Sequence, residues 1–283
     1  MPTPRLSVCL VTYNRAARLK ENLDDLLSED VPGREIVVVD GGSKDGTRAL
    51  LESYGDRVRW ISERDSGEYD AWNKTMKLAR GDILKWLPDD DRLRHGASRL
   101  ALDYFEAHPE VELLWGQAQL WTEDEHGVRT QAQTRWMTDG RKLTREAELR
   151  QRHGLNSIGV FIRKTAVDRL GPFRLDLTCA DTEYWVRALD RGTRTAVIPD
   201  VLVDYVLTGT NGVITKNWRL SRDVLRINLE YGTKRDVAWT IWDRRGSLMG
   251  IPTLQHEVGQ VAHKFGFHPL RTLRKVRARV MGK

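Results

Sequence analysis

The chain has 283 residues, 40% of them hydrophobic and 30% charged, a composition that supports a sizeable core and excludes a disordered chain. No apolar run approaches the ~18 residues needed to cross a bilayer; no apolar signal region precedes the first strand-like stretch, and the two cysteines, Cys9 and Cys179, are too few for a disulfide framework and lack metal-type spacing, so a cytoplasmic chain with reduced thiols is expected. The net charge of +6 is unevenly held: residues 218–283 carry 14 Lys plus Arg against 5 Asp plus Glu, and residues 1–217 carry 32 against 35, so the basic excess belongs to a C-terminal extension and speaks of partners rather than chemistry.

In chain order, RLSVCLVTYN contains a strand at 6–12 with apolar residues on both faces, as a buried strand requires. RAARLKENLDDLLSED places Ala17, Leu19, Leu23, Leu26 and Leu27 at helical spacing, and VPG ends that helix. REIVVVD is a second buried strand, GTRALLESYGD a short helix and VRWISE a third strand. EYDAWNKTMKLARGD is a helix predicted to close on Gly81, and DILKWL a fourth strand. This alternation predicts right-handed βαβ crossovers and an α/β fold, a Rossmann-like mixed sheet whose first four strands are parallel and flanked by helices.

Thr12, Tyr13 and Asn14 follow the first strand, Asp40 with GGSKDG the second, Asp65 the third, and Asp89, Asp90 and Asp91 the fourth. In a parallel sheet all of these lie at the carboxyl edge, where open α/β sheets bind ligands. Each motif has an ordinary reading by itself. GGSKDGT is a strand-to-helix turn with a polar cap and lacks the spacing of a dinucleotide fingerprint. Three aspartates make a solvated loop, or a cap for the helix starting near His95. Their shared edge turns the set into a candidate site.

Adjacent like charges repel, so water must dissolve the aspartate cluster or a cation must collect it. Carboxylates do not bind a nucleoside diphosphate directly. They can hold Mg2+ or Mn2+, whose other positions take diphosphate oxygens and which stabilises a departing diphosphate as a Lewis acid. Asp40, on an early strand end, suits a ribose hydroxyl or a base N–H.

SVCLVTYNR, EIVVVDGGSKDGT, DSGEYDAWNK, GDILKWLPDDD with the following Gly96-Ala97, and CADTEYWVRAL occur in this order. The ordered set, across residues 5 to 210, resembles the family 2 glycosyltransferases of the GT-A fold. DSGEYDAWNK looks like the subgroup associated with cell-surface polysaccharide and lipopolysaccharide assembly. The resemblance implies that Thr12, Tyr13 and Asn14 line the nucleotide pocket, that Asp40 contacts base or ribose, and that Asp65 closes the other side. It implies that Asp89 and Asp90 serve the ribose and the Mn2+ or Mg2+ ion as the last two positions of an Asp-x-Asp signature whose first position is Pro88 here; Asp91 is the alternative ligand. Asp181 would be the general base that deprotonates the acceptor hydroxyl, with Glu183 as its rival and a helix cap as its ordinary role. The implied activity is inverting transfer from a nucleotide-diphosphate sugar, UDP-linked by family frequency, to a glycan or lipid-linked acceptor. A sugar nucleotidyltransferase and an inactive nucleotide-sugar-binding relative are the alternatives.

The second half, EVELLWGQAQLWTEDEHGVRT and NSIGVFIRKTAVDRLGPF, predicts the strands of the mixed part of the sheet and a helix before Asp181. Trp185 reads as core, His95 and His153 as surface or core residues, and Thr210 and Asn211 as weak candidates near the donor. The organisation expected is a transferase domain over residues 1–217 and a mainly helical extension over 218–283. Helices are expected over 218–231 and 270–280. In the latter, Leu270, Leu273, Val276 and Val280 recur at three- and four-residue steps among Arg271, Arg274, Lys275, Arg277 and Arg279. That pattern suits an anionic membrane surface, on the inner face of the membrane, and equally a helix packed on its own domain. No recognisable nucleic-acid reader accompanies the charge, so nucleic acid is not expected as a partner.

Overall fold

The computed structural model describes residues 4–124, 126–136, 144–145, 157–207, 217–238 and 240. Strands β1 (Leu6–Thr12), β2 (Arg34–Asp40), β3 (Arg59–Ser62) and β4 (Ile83–Pro88) are parallel and lie side by side in the order β3-β2-β1-β4. Thr12 stands opposite Asp40, Asp40 opposite Ser62, and Val11 opposite Pro88. The four strands therefore finish level, which creates the shared rim. Helices α1 (Ala16–Ser28), α2 (Thr47–Ser53) and α3 (Glu68–Leu78) make the crossovers.

Beyond β4 the sheet turns mixed. The further elements are β5 (Arg92–Leu93), α4 (Ala97–Ala107), β6 (Leu113–Glu123), β7 (Arg129–Trp136), β8 (Val160–Arg163), α5 (Lys164–Leu170), α6 (Ala180–Asp190) and β9 (Thr195–Leu207). β8 runs antiparallel to β4 and β6, β9 parallel to β6, and β5 and β7 antiparallel to β9 and β6. The expected α/β architecture is the one observed.

Alternation along β1 supplies both layers. Leu6, Val8 and Leu10 pack with Leu19, Leu23 and Leu26 of α1, Leu51 of α2, and Ala101 and Phe105 of α4. Cys9 faces the other way, toward Thr75 of α3, and burial pushes its thiol up to about 12. It is therefore an inert core thiol. On the same side Trp86 packs on Phe173 at 5.1 Å and Phe173 on Tyr184 at 4.3 Å, while Trp185 touches Trp115 at 5.7 Å. Trp185 is core, as its sequence context indicates.

One local expectation fails, and one short element was not expected. α3 stops at Leu78, three residues before Gly81, because Ala79 takes an extended conformation. Gly81 is there for close approach: a Cβ on it would lie 2.6 Å from the Ser7 nitrogen, and its N–H donates to Ser7 Oγ at 2.8 Å. The two-residue β5 went unforeseen, since its pairing comes from β9, far along the chain.

The chain divides into two compact units, Met1–Asp176 with Ala180–Gly209, and Leu177–Cys179 with Thr210–Lys283. In the second, α7 (Asn217–Tyr231) carries a buried Asp223 that accepts from the Thr178 backbone N–H at 2.8 Å and hydroxyl at 2.9 Å. The helix expected over 270–280, together with His153, Thr210 and Asn211, lies outside the described residues.

Lys85, in the middle of β4, is wholly buried. Its ammonium donates to the carbonyl of Trp86 at 2.7 Å and to that of Ile158. Burial draws its pKa from 10.5 to about 7, against the opposing pull of Asp91 and Cys9. The unfolded chain thus binds more protons between about 7 and 10.5, and this residue makes stability rise with pH across that window. Lys85→Met is expected to remove that contribution, read as the difference in urea midpoints between variant and wild type across the same pH range. A difference that does not change with pH would contradict it.

Candidate active site

The loops that leave the rim are tied to one another rather than to solvent. Asn14 sits in the left-handed region, at φ 52°. Its N–H donates to Ser43 Oγ at 2.7 Å, and its side-chain oxygen accepts from the Lys44 N–H at 2.8 Å. Asp45 accepts from the Ala16 N–H at 2.9 Å and the Thr47 hydroxyl at 2.6 Å, so one carboxylate caps the starts of α1 and α2. GGSKDGT is thus a capped turn and also the clasp between two strand ends.

Asp40 is 0% exposed. Its carboxylate accepts from Ser62 Oγ at 2.6 Å, from the Ser43 N–H at 3.1 Å, and from the Ser43 hydroxyl. Tyr13, by contrast, is 58% exposed. It meets Asp65 over Gly41: a Cβ on Gly41 would lie 2.6 Å from Asp65 Oδ2 and 3.3 Å from the Tyr13 ring. The absent side chain is what lets Asp65 and Tyr13, from beyond the ends of β3 and β1, close over the end of β2. Asp65 also accepts from the Gly67 N–H at 2.9 Å, which fixes its carboxylate.

The three aspartates after β4 have distinct surroundings. Asp89 accepts from Thr12 Oγ1 at 3.0 Å and from Arg15 at 2.8 Å. Asp91 is 1% exposed and accepts from the Val206 N–H of β9 at 3.0 Å. Burial, and then the Asp90 charge, hold its pKa well above the usual carboxylate range. Asp90 lies between them, its side chain 13% exposed and 3.6 Å from the Arg15 guanidinium. Burial, and then Asp89, raise its pKa. Asn22 supports the turn from below, donating to the carbonyls of Asp89 and Asp91 at 3.0 Å each.

Asp181 is half-buried in the first turn of α6 and accepts from the Tyr69 hydroxyl at 3.0 Å. Glu183 is fully buried and paired with Arg187 at 3.0 Å, so it is no rival for a proton-accepting role. Tyr205 lies on β9. Burial, then Asp91, Asp90, Asp181 and Glu68, push its phenol above the ordinary range. His95 is exposed; Asp25 and Ser28 both meet its Nε2 at 3.3 Å, so it relays nothing between them.

Arg15 and Tyr69 carry this geometry, yet neither stands out in sequence. Their only signal is position, Arg15 directly after Thr12-Tyr13-Asn14 and Tyr69 within DSGEYD.

Residues 7–171 match glycosyl transferase family 2. The chain belongs to this family. Over 89 residues it is 34% identical to the uncharacterized glycosyltransferase RT0329 of Rickettsia typhi, a match that covers 31% of this chain and 28% of that relative. The chain thus spans less than a third of that relative's length. Among solved structures, residues 1–349 of TarS from S. aureus, in complex with UDP-GlcNAc, align with a TM-score of 0.64 and 18% identity, covering 86% of this chain and 73% of that one. The mannosyltransferase PcManGT from Pyrobaculum calidifontis, in complex with GDP-Man and Mn2+, aligns with a TM-score of 0.61 and 20% identity, covering 100% and 81%. At these identities the structural likenesses show the fold, which is GT-A. The matching family is one of glycosyl transferases and not of sugar nucleotidyltransferases.

Among the described residues, no three His, Cys, Asp or Glu side chains are arranged to hold a metal ion unaided. The donor set nevertheless fits a hard divalent cation. Magnesium-type ions are commonly held by one or two carboxylates plus substrate phosphates, and Asp90 is an oxygen donor whose charge is disfavoured by burial and by Asp89.

Proposed function

We propose that this family 2 glycosyltransferase is metal-dependent and inverting, moving a sugar from a nucleoside-diphosphate donor, UDP by default, onto a hydroxyl of a glycan or lipid-linked acceptor in surface polysaccharide assembly. The observation that carries the reading is the closed set at the strand ends, with Thr12 and Arg15 on Asp89 at 3.0 and 2.8 Å and Asp90 3.6 Å from the same guanidinium. The nucleotide complexes of TarS and PcManGT, the latter with Mn2+, support it.

In this reading Tyr13 and Asp65 flank the nucleoside beside Gly41, and Thr12 orders Asp89 toward the ribose. Asn14 and Asp40 set the loop between them through Ser43. Asp90, in preference to the fully enclosed Asp91, would hold the ion, with Asp89 as its neighbour in sequence. The ion would supply charge neutralisation for the departing diphosphate. Arg15, whose charge Asp89 and Asp90 sustain against burial, turns from the carboxylates toward the diphosphate. Asp181 takes the proton of the acceptor hydroxyl as that oxygen bonds to the anomeric carbon and the carbon–diphosphate bond breaks. One displacement from the opposite face inverts the configuration.

Incubation with Mn2+ and, separately, UDP-GlcNAc, UDP-glucose and GDP-mannose tests this. One donor is expected to release its nucleoside diphosphate slowly, water standing in for the acceptor. Binding without release would indicate an inactive nucleotide-sugar-binding relative instead.

No helix among the described residues is long and apolar enough to cross a membrane. A lipid-linked acceptor would be met at the inner face of a membrane, through the basic residues of 270–280 on an anionic surface. Removing residues 270–283 is expected to abolish co-sedimentation with anionic liposomes; unchanged binding would remove the idea.

A further inference from the structure

We propose that Tyr69 is the positioning residue of the proton-accepting carboxylate, an inference that rests on the role given to Asp181 above. The Tyr69 hydroxyl donates to Asp181 Oδ1 at 3.0 Å, joining residues 112 apart in sequence. A carboxylate on a single methylene turns about two torsions, and a donor fixed in space removes the second. Whether Tyr69 can act this way depends on its own rigidity.

That rigidity comes from α3. Tyr69 and Asn73 are four residues apart and share one helix face. Asn73 grips the backbone of Phe173 on both sides, donating to its carbonyl at 2.9 Å and accepting from its N–H at 2.8 Å. The Phe173 ring in turn packs on the Tyr69 ring, centroids 5.8 Å apart. At the start of the helix, Asp70 accepts from the Ser66 N–H at 2.9 Å, and Lys74 anchors to the Arg64 carbonyl at 2.9 Å. The polar residues of DSGEYDAWNK thus hold one helix between Asp65 and Asp181. The phenol is presented from a helix, which positions a group more tightly than a loop does. A base must meet its proton within hydrogen-bond reach, and small errors of placement are costly in rate.

Tyr69→Phe keeps the ring and its packing and removes only the donor. With the donor identified by the panel above and Mn2+, kcat for release of nucleoside diphosphate is expected to fall about tenfold, with donor KM unchanged. In an Asp181→Asn background the same change is expected to cost nothing further, because both substitutions act on one function. An unchanged kcat in Tyr69→Phe beside a disabled Asp181→Asn would overturn the positioning role. So would losses that multiply in the double variant, the mark of a role elsewhere. Full activity in Asp181→Asn would instead remove the base assignment, and this inference with it.

Discussion

Asp181→Asn is expected to lower turnover by on the order of 10²–10⁴-fold, the usual contribution of a positioned general base, while the donor binds as before. The asymmetry follows from where the side chain stands. Asp181 touches Tyr69, whereas Tyr13 and Asp65 meet over Gly41. Asparagine keeps the shape and an oxygen that can accept from Tyr69, but it cannot take a proton. Glu183 cannot take over, because it is buried against Arg187. The measurement is kcat for release of nucleoside diphosphate, beside donor affinity by calorimetry. An equal loss of both would mean that Asp181 belongs to the donor pocket and that the division of labour proposed here is misdrawn.

Asp90→Asn is expected to act in the opposite sense, on donor binding. Loss of a group that merely supports a metal ligand commonly costs 10–100-fold in affinity, so loss of a ligand itself should cost about 100-fold or more in the presence of Mn2+. Without Mn2+, variant and wild type should bind the nucleotide alike. Asparagine also relieves the repulsion from Asp89 that raises the Asp90 pKa, so the folded protein should be no less stable. An affinity loss of the same size with and without Mn2+ would identify Asp90 as a nucleotide contact rather than a metal ligand.

Much of this architecture was open to inspection in the residues themselves. β1 and β2 are mostly apolar runs buried on both faces over most of their length, a pattern with few alternatives, and their observed limits at Leu6–Thr12 and Arg34–Asp40 match the expected ones. Gly81 misled because a glycine after a helical run reads as its terminator, whereas here it admits the backbone of Ser7. β5 was hidden because two residues have no periodicity. The rim could be anticipated, since parallel strands place their ends together whatever their side chains. The links across it could not. Arg15 at a helix start reads as a solvated charge until Asp89, 74 residues later, is seen against it. Tyr69 and Asp181 are farther apart still. Nor could the sequence rank the three aspartates: that Asp91 is enclosed by β9 and Asp90 is not depends on the return of a strand more than a hundred residues downstream.

Calorimetric titration of UDP and of GDP into the full chain, with Mn2+ and then with a chelator, tests the account at its root. Uptake of one of the two nucleotides that requires the metal ion is the expected result. No uptake of either, or uptake indifferent to the metal, would contradict the assignment of this rim as a cation-bridged diphosphate site.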